Sequence, residues 1–377
     1  PTTVTQVVTV LASTDEQRIT FSTTAMTFPT LSAQADNGID IHTSITTVTA
    51  HAWFDADLDD DFADDSDNNF SVTSGHTVKS NTILTLENGA STINQVGTLT
   101  FVASSGIVFE TDSVGTGAHT NPLKIFAGSG ATLTIASTRT VTNGNGLIHI
   151  SAADLDLAGG LGAGTNAILF VGSAGSYTMG LGQAKDFTIS NTEMQRITAE
   201  GMTLGNNQNG NVEVAEISAT HSATVTGIVS LVATKSSAQV IFTGSTDCTF
   251  HSLSAVASGT VEYNRNLNAK DGSFHLQGGT TASGSNGPWT HTAGTTMTLA
   301  SGGSGITLGD ALTLKAANGV VIHDSLTSTG TSGSAPINID ADTDSDGGTF
   351  TVSTTKSLTT NSNTLRITCY DVDLQTS

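Results

Sequence analysis

Two acidic segments hold the residues of this chain that are best suited to chemistry. Residues 55–69 contain eight Asp in fifteen positions, and residues 340–348 form a second, shorter cluster. Asp stands two positions apart at 55, 57, 59 and 61 and again at 340, 342, 344 and 346, and Gly347 follows the last Asp of the second segment. Calcium takes roughly six to eight oxygen ligands, which carboxylates in such an order can supply. The sequence therefore predicts Ca²⁺ sites formed by Asp55, Asp57, Asp59, Asp61, Asp65, Asp67, Asp340, Asp342, Asp344 and Asp346.

The second segment matches only the opening of an EF-hand loop. Asp342, Asp344, Asp346 and Gly347 fit its first positions, but Ser353 stands where the loop needs a bidentate Glu. No helical pattern flanks the segment, so an EF-hand is excluded. The alternative for both clusters is a solvated acidic loop that attracts cations without ordering them.

The remaining polar residues give no catalytic pattern. The ten His are scattered without His-x-x-x-His spacing, so we expect surface or ladder positions rather than zinc ligands, with His149 facing outward. Asp154 with Asp156 and Asp371 with Asp373 could serve a hydrolase as carboxylate pairs. They recur in both copies of an internal repeat, however, whereas an active site is normally unique. We therefore expect no enzyme.

Two tryptophans and one asparagine suggest contacts with sugars. Trp53 stands beside Phe54 and Phe62 next to the acidic segment, and Trp289 follows a Gly-Pro pair. Both are candidate glycan-binding residues, with loop packing as the alternative for each. Asn69 begins an Asn-Phe-Ser triplet and is a candidate N-glycosylation site.

Charge excludes two classes of partner. The chain has 33 Asp and Glu against 12 Lys and Arg, a net charge of −21, which opposes binding to nucleic acid or to an acidic membrane surface. No apolar run approaches the ~20 residues that cross a bilayer, so we expect no membrane insertion. Cys248 and Cys369 occupy unrelated phases of the repeat, and the sequence leaves open whether they pair.

A long internal repeat organises the chain. Residues 97–109 return as residues 310–322, and Asp154–Leu157 returns as Asp371–Leu374. Phe21, Phe28 and Leu31 return as Phe242, Phe250 and Leu253, with a shift that changes by one residue within the segment. Duplication of this kind is typical of arrays and solenoids. We predict one unit over residues 1–225, beginning in mid-repeat, and a second, partial copy over residues 226–377.

Short strands fill both predicted units. Phrases of the form apolar-Thr-apolar recur, such as Leu84-Thr85-Leu86 and Leu312-Thr313-Leu314, with Gly- and Asn-rich turns between them. Alternation with period two indicates half-buried strands. Few aromatic residues and an even texture favour a right-handed parallel β-helix, or β-solenoid, with loop insertions over tandem β-sandwich domains. We expect two or three strands per coil and about 15–19 coils.

Several segments resemble a known class of proteins. Residues 35–41, 195–205, 209–214 and 217–219 are similar to giant repetitive surface proteins of the filamentous-haemagglutinin type. The resemblance implies extracellular β-helical fibres used for surface coats, appendages or adhesion.

These features together predict a structural protein located outside the cell or on its surface. An uncapped solenoid end exposes unpaired backbone groups, and neither end of this sequence carries a distinctive cap, so we expect rods that join end to end into a homopolymer. The alternative is an adhesin, in which the same rod binds a glycan or a surface protein.

Overall fold

The computed structural model describes residues 6–60, 69–89, 92–115, 120–283 and 287–375. The chain divides into two compact units. Unit 1 comprises Pro1–Ala174 with Arg196–Glu200, and unit 2 comprises Gly175–Gln195 with Gly201–Ser377.

Unit 1 is a parallel β-solenoid whose turns each contribute strands to three sheets, named A1, A2 and A3. Sheet A1 consists of Val7–Ala12, Thr30–Ala35, Ala52–Asp55, Ile83–Glu87, Gly106–Phe109, Thr132–Ile135 and Asp154–Leu157. Sheet A2 consists of Ile19–Phe21, Ile39–Ile41, Phe70–Val72, Thr92–Gln95, Asp112–Gly115, Thr140–Thr142, Gly160–Gly162 and Ile197–Thr198. Sheet A3 consists of Met26–Phe28, Ile45–Thr47, His76–Ser80, Leu99–Ala103, Leu123–Ala127, Ile148–Ala152 and Ala167–Gly172.

Unit 2 is built in the same way from sheets B1, B2 and B3. Sheet B1 consists of Gly201–Leu204, Ile228–Ala233, Ser252–Ala257, Phe274–Gly278, Thr296–Ser301, Gly319–Ile322, Thr349–Val352 and Asp371–Leu374. Sheet B2 consists of Phe187–Ile189, Met179–Leu181, Val212–Ala215, Val240–Thr243, Thr260–Tyr263, Thr280–Ser283, Ile306–Leu308, Leu326–Ser328 and Leu358–Thr359. Sheet B3 consists of Cys248–Phe250, Leu267–Ala269, Trp289–Ala293, Leu312–Ala316, Ile337–Asp340 and Leu365–Thr368.

Alternation along each strand separates core from surface, as the sequence predicts. In Ile83–Glu87, for example, Leu84 and Leu86 are fully buried and Thr85 between them is half-buried on the outer face. Leu84 pairs in register with Ile107, one turn later in the chain. Each turn therefore stacks apolar side chains on apolar side chains along the interior, where burial contributes about 25 cal/mol per Å².

Aromatic rings fill the interior of unit 1 where the turns stack. Phe54 lies 6.3 Å from Phe21 and 5.6 Å from Phe70 between ring centroids, with the rings nearly perpendicular. This edge-to-face geometry is favourable for aromatic pairs. The core is thus a continuous stack of side chains that come from successive turns.

The predicted fold class is confirmed. All described strand pairs are parallel, which rules out antiparallel sandwiches, and the turns number about 15, at the lower end of the expected range. Right-handed winding stays a prediction, as does the repeat boundary at residue 225. The repeated segments do fall on equivalent strands, because residues 97–109 supply strands of A3 and A1, and residues 310–322 supply strands of B3 and B1.

Two local features differ from the sequence-based expectation. Thr188 and Ile189 argue against a helix over residues 183–195, and Phe187–Ile189 is indeed a strand, but a one-turn helix follows at Asn191–Met194. Ser190 and Glu193 cap it reciprocally, a Ser-x-x-Glu signal present in the sequence. His291 is the other exception, since it lies in the inner ladder of unit 2, fully buried, rather than at the surface.

Candidate functional site

The first acidic segment begins inside sheet A1, not in a loop. Asp55 ends the strand Ala52–Asp55, pairs in register with Gln34 and Glu87, and is only 5% exposed. Its carboxylate accepts hydrogen bonds from Gln34 Nε2 and from the backbone N–H of Asp57, both at 3.3 Å. Asp57 is fully buried. Parallel stacking therefore places Asp55 beside Glu87 of the next turn, with Asp57 close to Asp55 in the same turn.

Glu87 shows what this crowding does to a carboxyl group. Burial first, then the hydrogen bond to Asp55 and the charges of Asp55, Asp60 and Glu110, raise the pKa of Glu87 to about 8. Protonated Glu87 can donate a hydrogen bond to Asp55, so the pair holds one negative charge rather than two. The carboxylates also lie close to the backbone of Gly89. A Cβ atom at this position would lie 2.3 Å from Asp60 Oδ1 and 2.7 Å from Asp57 Oδ2, so the turn has no room for a side chain.

Calcium binding by this segment stays a prediction. Asp59 is exposed, and Asp61, Asp65 and Asp67 lie outside the described residues. Within the part of the chain that the structure describes, no group of three or more His, Cys, Asp or Glu side chains is placed to hold a metal ion. The described geometry instead shows a carboxyl pair in which Asp55 is buried and Glu87 is half-buried.

The second acidic segment uses a carboxylate to close its own turn. Asp342 Oδ1 accepts hydrogen bonds from the backbone N–H groups of Gly347 and Gly348, both at 3.0 Å. The hydrogen bond from Gly348, followed by that from Gly347, lowers the pKa of Asp342. Asp344 and Asp346 point into solvent, while Asp340 sits at the end of a strand in sheet B3. One of the predicted ligands is therefore a turn residue, and the cluster does not converge.

The two tryptophans occupy different environments. Trp53 lies on the outer face of sheet A1 between Ser32 and Thr85 and is half-buried. Trp289 faces the interior of unit 2 at 7% exposure, with the Arg265 guanidinium 5.9 Å from its ring centroid. Outward placement leaves part of the Trp53 ring open to a ligand, whereas Trp289 is mainly a packing residue. Glycan binding by either stays a prediction.

Asn69 and the cysteines have structural surroundings. Asn69 Oδ1 accepts a hydrogen bond from Asn94 Nδ2 of the neighbouring turn at 3.0 Å, and Asn69 is half-buried. Glycosylation of Asn69 stays a prediction. Cys248 and Cys369 are both free thiols. Cys248 is fully buried, and this burial raises the pKa of its thiol.

A small polar cavity in unit 2 was not predicted from the sequence. It has a volume of about 150 Å³ and lies beside His251, whose Nδ1 is 3.4 Å from Asp271 Oδ2. Lys270 also lines the cavity, and the hydroxyl of Ser222 donates to the Thr249 carbonyl at 2.8 Å. The Asp orients the imidazole, but the serine hydroxyl is committed to the backbone. The sequence does carry a signal for the contact between His251 and Asp271. The two residues are 20 positions apart, which is about the length of one turn and brings them side by side.

The strands Leu365–Thr368 and Asp371–Leu374 form an exposed edge of unit 2, here called the B edge. Val372 and Leu374 occupy inward positions of the alternation yet are 47% and 60% exposed. Their register partners one turn earlier, Phe350 and Val352, are 0% and 5% exposed. The apolar ladder of the core thus continues into solvent, and no described strand pairs with the outer side of Asp371–Leu374, which leaves backbone N–H and C=O groups open there.

Unit 1 has a comparable edge at Val7–Ala12, here called the A edge. Among the described strands it pairs with one neighbour, Thr30–Ala35. Val8 and Val10 face inward but are only half-buried, whereas their partners Leu31 and Ala33 are fully buried. The A edge therefore offers the same combination of open backbone and uncovered apolar side chains.

The repeat provides an internal comparison for the B edge. Asp154–Leu157 is the counterpart of Asp371–Leu374 in unit 1, and its four residues alternate in the same way. Both of its apolar residues are covered, with Leu155 at 5% and Leu157 at 1% exposure. The same sequence pattern is thus buried in unit 1 and exposed at the B edge.

Comparison with known proteins gives no relative. No protein-family model, no curated protein and no solved structure matches this chain. Among the described residues, no helix is long and apolar enough to cross a membrane. The chain is a β-helical repeat protein by its own geometry, and its function has to be argued from its surfaces.

Proposed function

We propose that this chain is a structural subunit of an extracellular filament or cell-surface appendage, in which copies stack end to end. The supporting observation is the B edge, where inward-phase Val372 and Leu374 are 47% and 60% exposed. Strand edges with exposed apolar residues are templates for pairing with another chain. The occupant we assign to the B edge is the A edge of a second copy.

The repeat supports this pairing face by face. It makes A1 equivalent to B1, A2 to B2 and A3 to B3, as the repeated segments show. Stacking in that order places Val8 and Val10 on Val372 and Leu374, because all four occupy inward positions. The third face matches as well: half-buried Met26 and Phe28 meet half-buried Leu365 and Ile367. Each contact would extend an apolar ladder by one turn.

The contact joins two different edges of the molecule, so it is heterologous. A heterologous contact that does not close into a ring produces an open filament. The outer surface, rich in Thr and Ser and with a net charge of −21, keeps the sides of such filaments soluble. Location outside the cell is part of the proposal and is supported by this composition.

Charge at the B edge tests the proposal. Val372→Lys places an ammonium group in the ladder, and we expect it to prevent assembly that the unchanged chain shows by electron microscopy and sedimentation. Thr351→Lys is the matched control, because Thr351 lies one turn earlier on the outer face opposite Asp373. Monomers of the unchanged chain at all accessible concentrations, or equal assembly of Val372→Lys, would overturn the proposal.

An adhesin is a second candidate. It draws support from Trp53, an aromatic side chain that faces outward from sheet A1 and is only half-buried. This role would use the side of the solenoid rather than its edges, so the two functions are compatible.

A further inference from the structure

Three neighbouring strands of sheet B3 present an ordered set of polar side chains on the outer face of unit 2. The strands are Leu312–Ala316, Ile337–Asp340 and Leu365–Thr368, and their residues pair in register. Two outward positions on each strand form a grid of three rows. In row order these are Thr313 and Lys315, Asn338 and Asp340, and Arg366 and Thr368.

The grid lines a shallow groove with a volume of about 380 Å³. Small-molecule sites typically measure about 300–1,000 Å³, so the groove is large enough for a sugar-sized ligand. Strands lie about 4.8 Å apart and outward positions about 6.6 Å apart along a strand. The α-carbons of Lys315 and Arg366, at opposite corners, are therefore about 12 Å apart. Long side chains at that separation can contact one ligand from both sides.

The two cations in the groove have no counter-ion among the described residues. Lys315 and Arg366 are both exposed, and neither takes part in an ion pair there, although Asp340 is the register partner of Lys315. Cations are scarce in this protein, with only 12 Lys and Arg in 377 residues. Two of them lining one groove form a local positive site on a strongly acidic molecule.

Asp340 supplies an independent sign of a missing partner. Its Oδ1 atom is shielded from solvent and has no hydrogen-bond partner among the described residues. A buried carboxylate oxygen without a donor is costly, because it has lost its water without a replacement. The side chain as a whole is only half-buried and lines the groove, so the hydroxyl groups of a ligand can donate hydrogen bonds to this carboxylate. Asn338 in the same row can both donate and accept.

We infer that this groove binds an acidic saccharide, a sugar that carries a carboxylate. The guanidinium of Arg366 binds the carboxylate in a bidentate manner with Lys315 as a second cation, and the hydroxyl groups donate to Asp340. A densely charged polyanion does not fit, because Asp340 lies between the two cations and the net charge of −21 repels it. A neutral sugar would leave both cations without a partner.

This inference goes beyond end-to-end assembly and does not depend on it. The test is therefore made on the full chain carrying Val372→Lys as well as on the unchanged chain, so that binding is measured with and without filaments. The probes are short oligosaccharides of galacturonic acid, glucuronic acid and sialyl-lactose, with lactose as the neutral comparison, in isothermal titration calorimetry.

We expect at least one acidic probe to bind both proteins, and Arg366→Gln to weaken that binding about tenfold, the effect of losing a charged hydrogen bond. Asp340→Asn should also weaken it, because an amide oxygen accepts less strongly than a carboxylate. Lys79→Gln is the matched control, an exposed outward lysine on the strand His76–Ser80 of unit 1. No binding of any acidic probe, equal binding of lactose, or equal loss with Lys79→Gln would overturn the inference.

Discussion

His291 is a polar side chain placed in an apolar core. It is 0% exposed, its ring centroid lies 4.4 Å from that of Tyr263 and 5.4 Å from that of Phe274, and neither ring nitrogen has a hydrogen-bond partner among the described residues. Leu267 and Leu314 flank it in sheet B3. Burial lowers its pKa from 6.5 to about 3. Tyr263, whose ring faces it, is also titratable, and burial raises the pKa of that phenol further above the neutral range.

The depressed pKa makes stability depend on pH in one direction. The unfolded chain binds a proton at His291 near pH 6.5 and the folded chain only near pH 3. The stability associated with neutral His291 is therefore complete above about pH 6.5 and is lost as the pH falls towards 3. At about pH 5 the loss amounts to roughly 2 kcal/mol.

His291→Leu should remove this loss. Leucine suits the site because its register neighbours are leucines and because it leaves no unsatisfied nitrogen. We compare the free energy of unfolding of the variant with that of the unchanged chain at two pH values. The advantage of the variant should be roughly 2 kcal/mol larger at about pH 5 than at neutral pH. Urea unfolding at both pH values measures this. His42→Leu, at an exposed position, is the control, and an identical pH dependence of His291→Leu and the unchanged chain would contradict the explanation.

At the scale of the strand, a glycine marks the start of equivalent strands in both units. Gly106 begins Gly106–Phe109 with φ of 148°, and Gly319 begins Gly319–Ile322 with φ of 137°. A Cβ at position 319 would lie 2.7 Å from the Thr349 carbonyl oxygen of the next turn. These positions need both a backbone conformation that L side chains rarely adopt and close approach between turns.

Gly319→Ala should therefore destabilise unit 2 without changing its surface. Strain in such a backbone region costs about 1–3 kcal/mol, and the contact with Thr349 adds to it. Thermal or urea unfolding of the full chain measures the loss. Gly175→Ala is the matched control, because no atom lies within 4 Å of a Cβ there and its φ is not in the positive region. Equal stability of the two variants would show that the strand start tolerates a side chain.

The strands were predictable, while contacts between turns were not. Period-two alternation identifies Leu84 and Leu86 as inward and Thr85 as outward, since it depends on neighbouring residues alone. Glu87 meets Asp55 across a turn of 32 residues that includes the acidic insertion, so no regular spacing reveals the pair. The alternation of Thr290 and Thr292 does place His291 at an inward position, and only the polar type of its side chain argued for the surface.

The groove and the B edge both depend on how the turns are arranged rather than on any sequence motif. The groove of Lys315, Asp340 and Arg366 gathers residues from three turns, which only the register brings together. The B edge is exposed although its sequence repeats that of the covered strand Asp154–Leu157. The alternation and the repeat are visible in the sequence, whereas exposure depends on what covers each strand in the folded chain.

Net charge sets the conditions under which copies can stack. Each molecule carries a net charge of −21, so two copies repel each other before their edges meet. The edge contact itself is apolar, with Val372 and Leu374 on one side and Val8 and Val10 on the other, and screening by salt leaves such a contact intact. The Debye length falls from about 30 Å at 0.01 M salt to about 8 Å at 0.15 M, so added salt removes most of the repulsion.

Assembly should therefore become stronger and faster as salt is raised from about 0.01 M to about 0.15 M. Light scattering and sedimentation of the unchanged chain measure this, with Val372→Lys as the variant that stays monomeric at both salt concentrations. An apolar contact and an ionic contact predict opposite signs, because salt weakens attraction between exposed charges. Filaments that dissolve as salt is added would show that ion pairs hold copies together, and the ladder of Val8, Val10, Val372 and Leu374 would not be the contact.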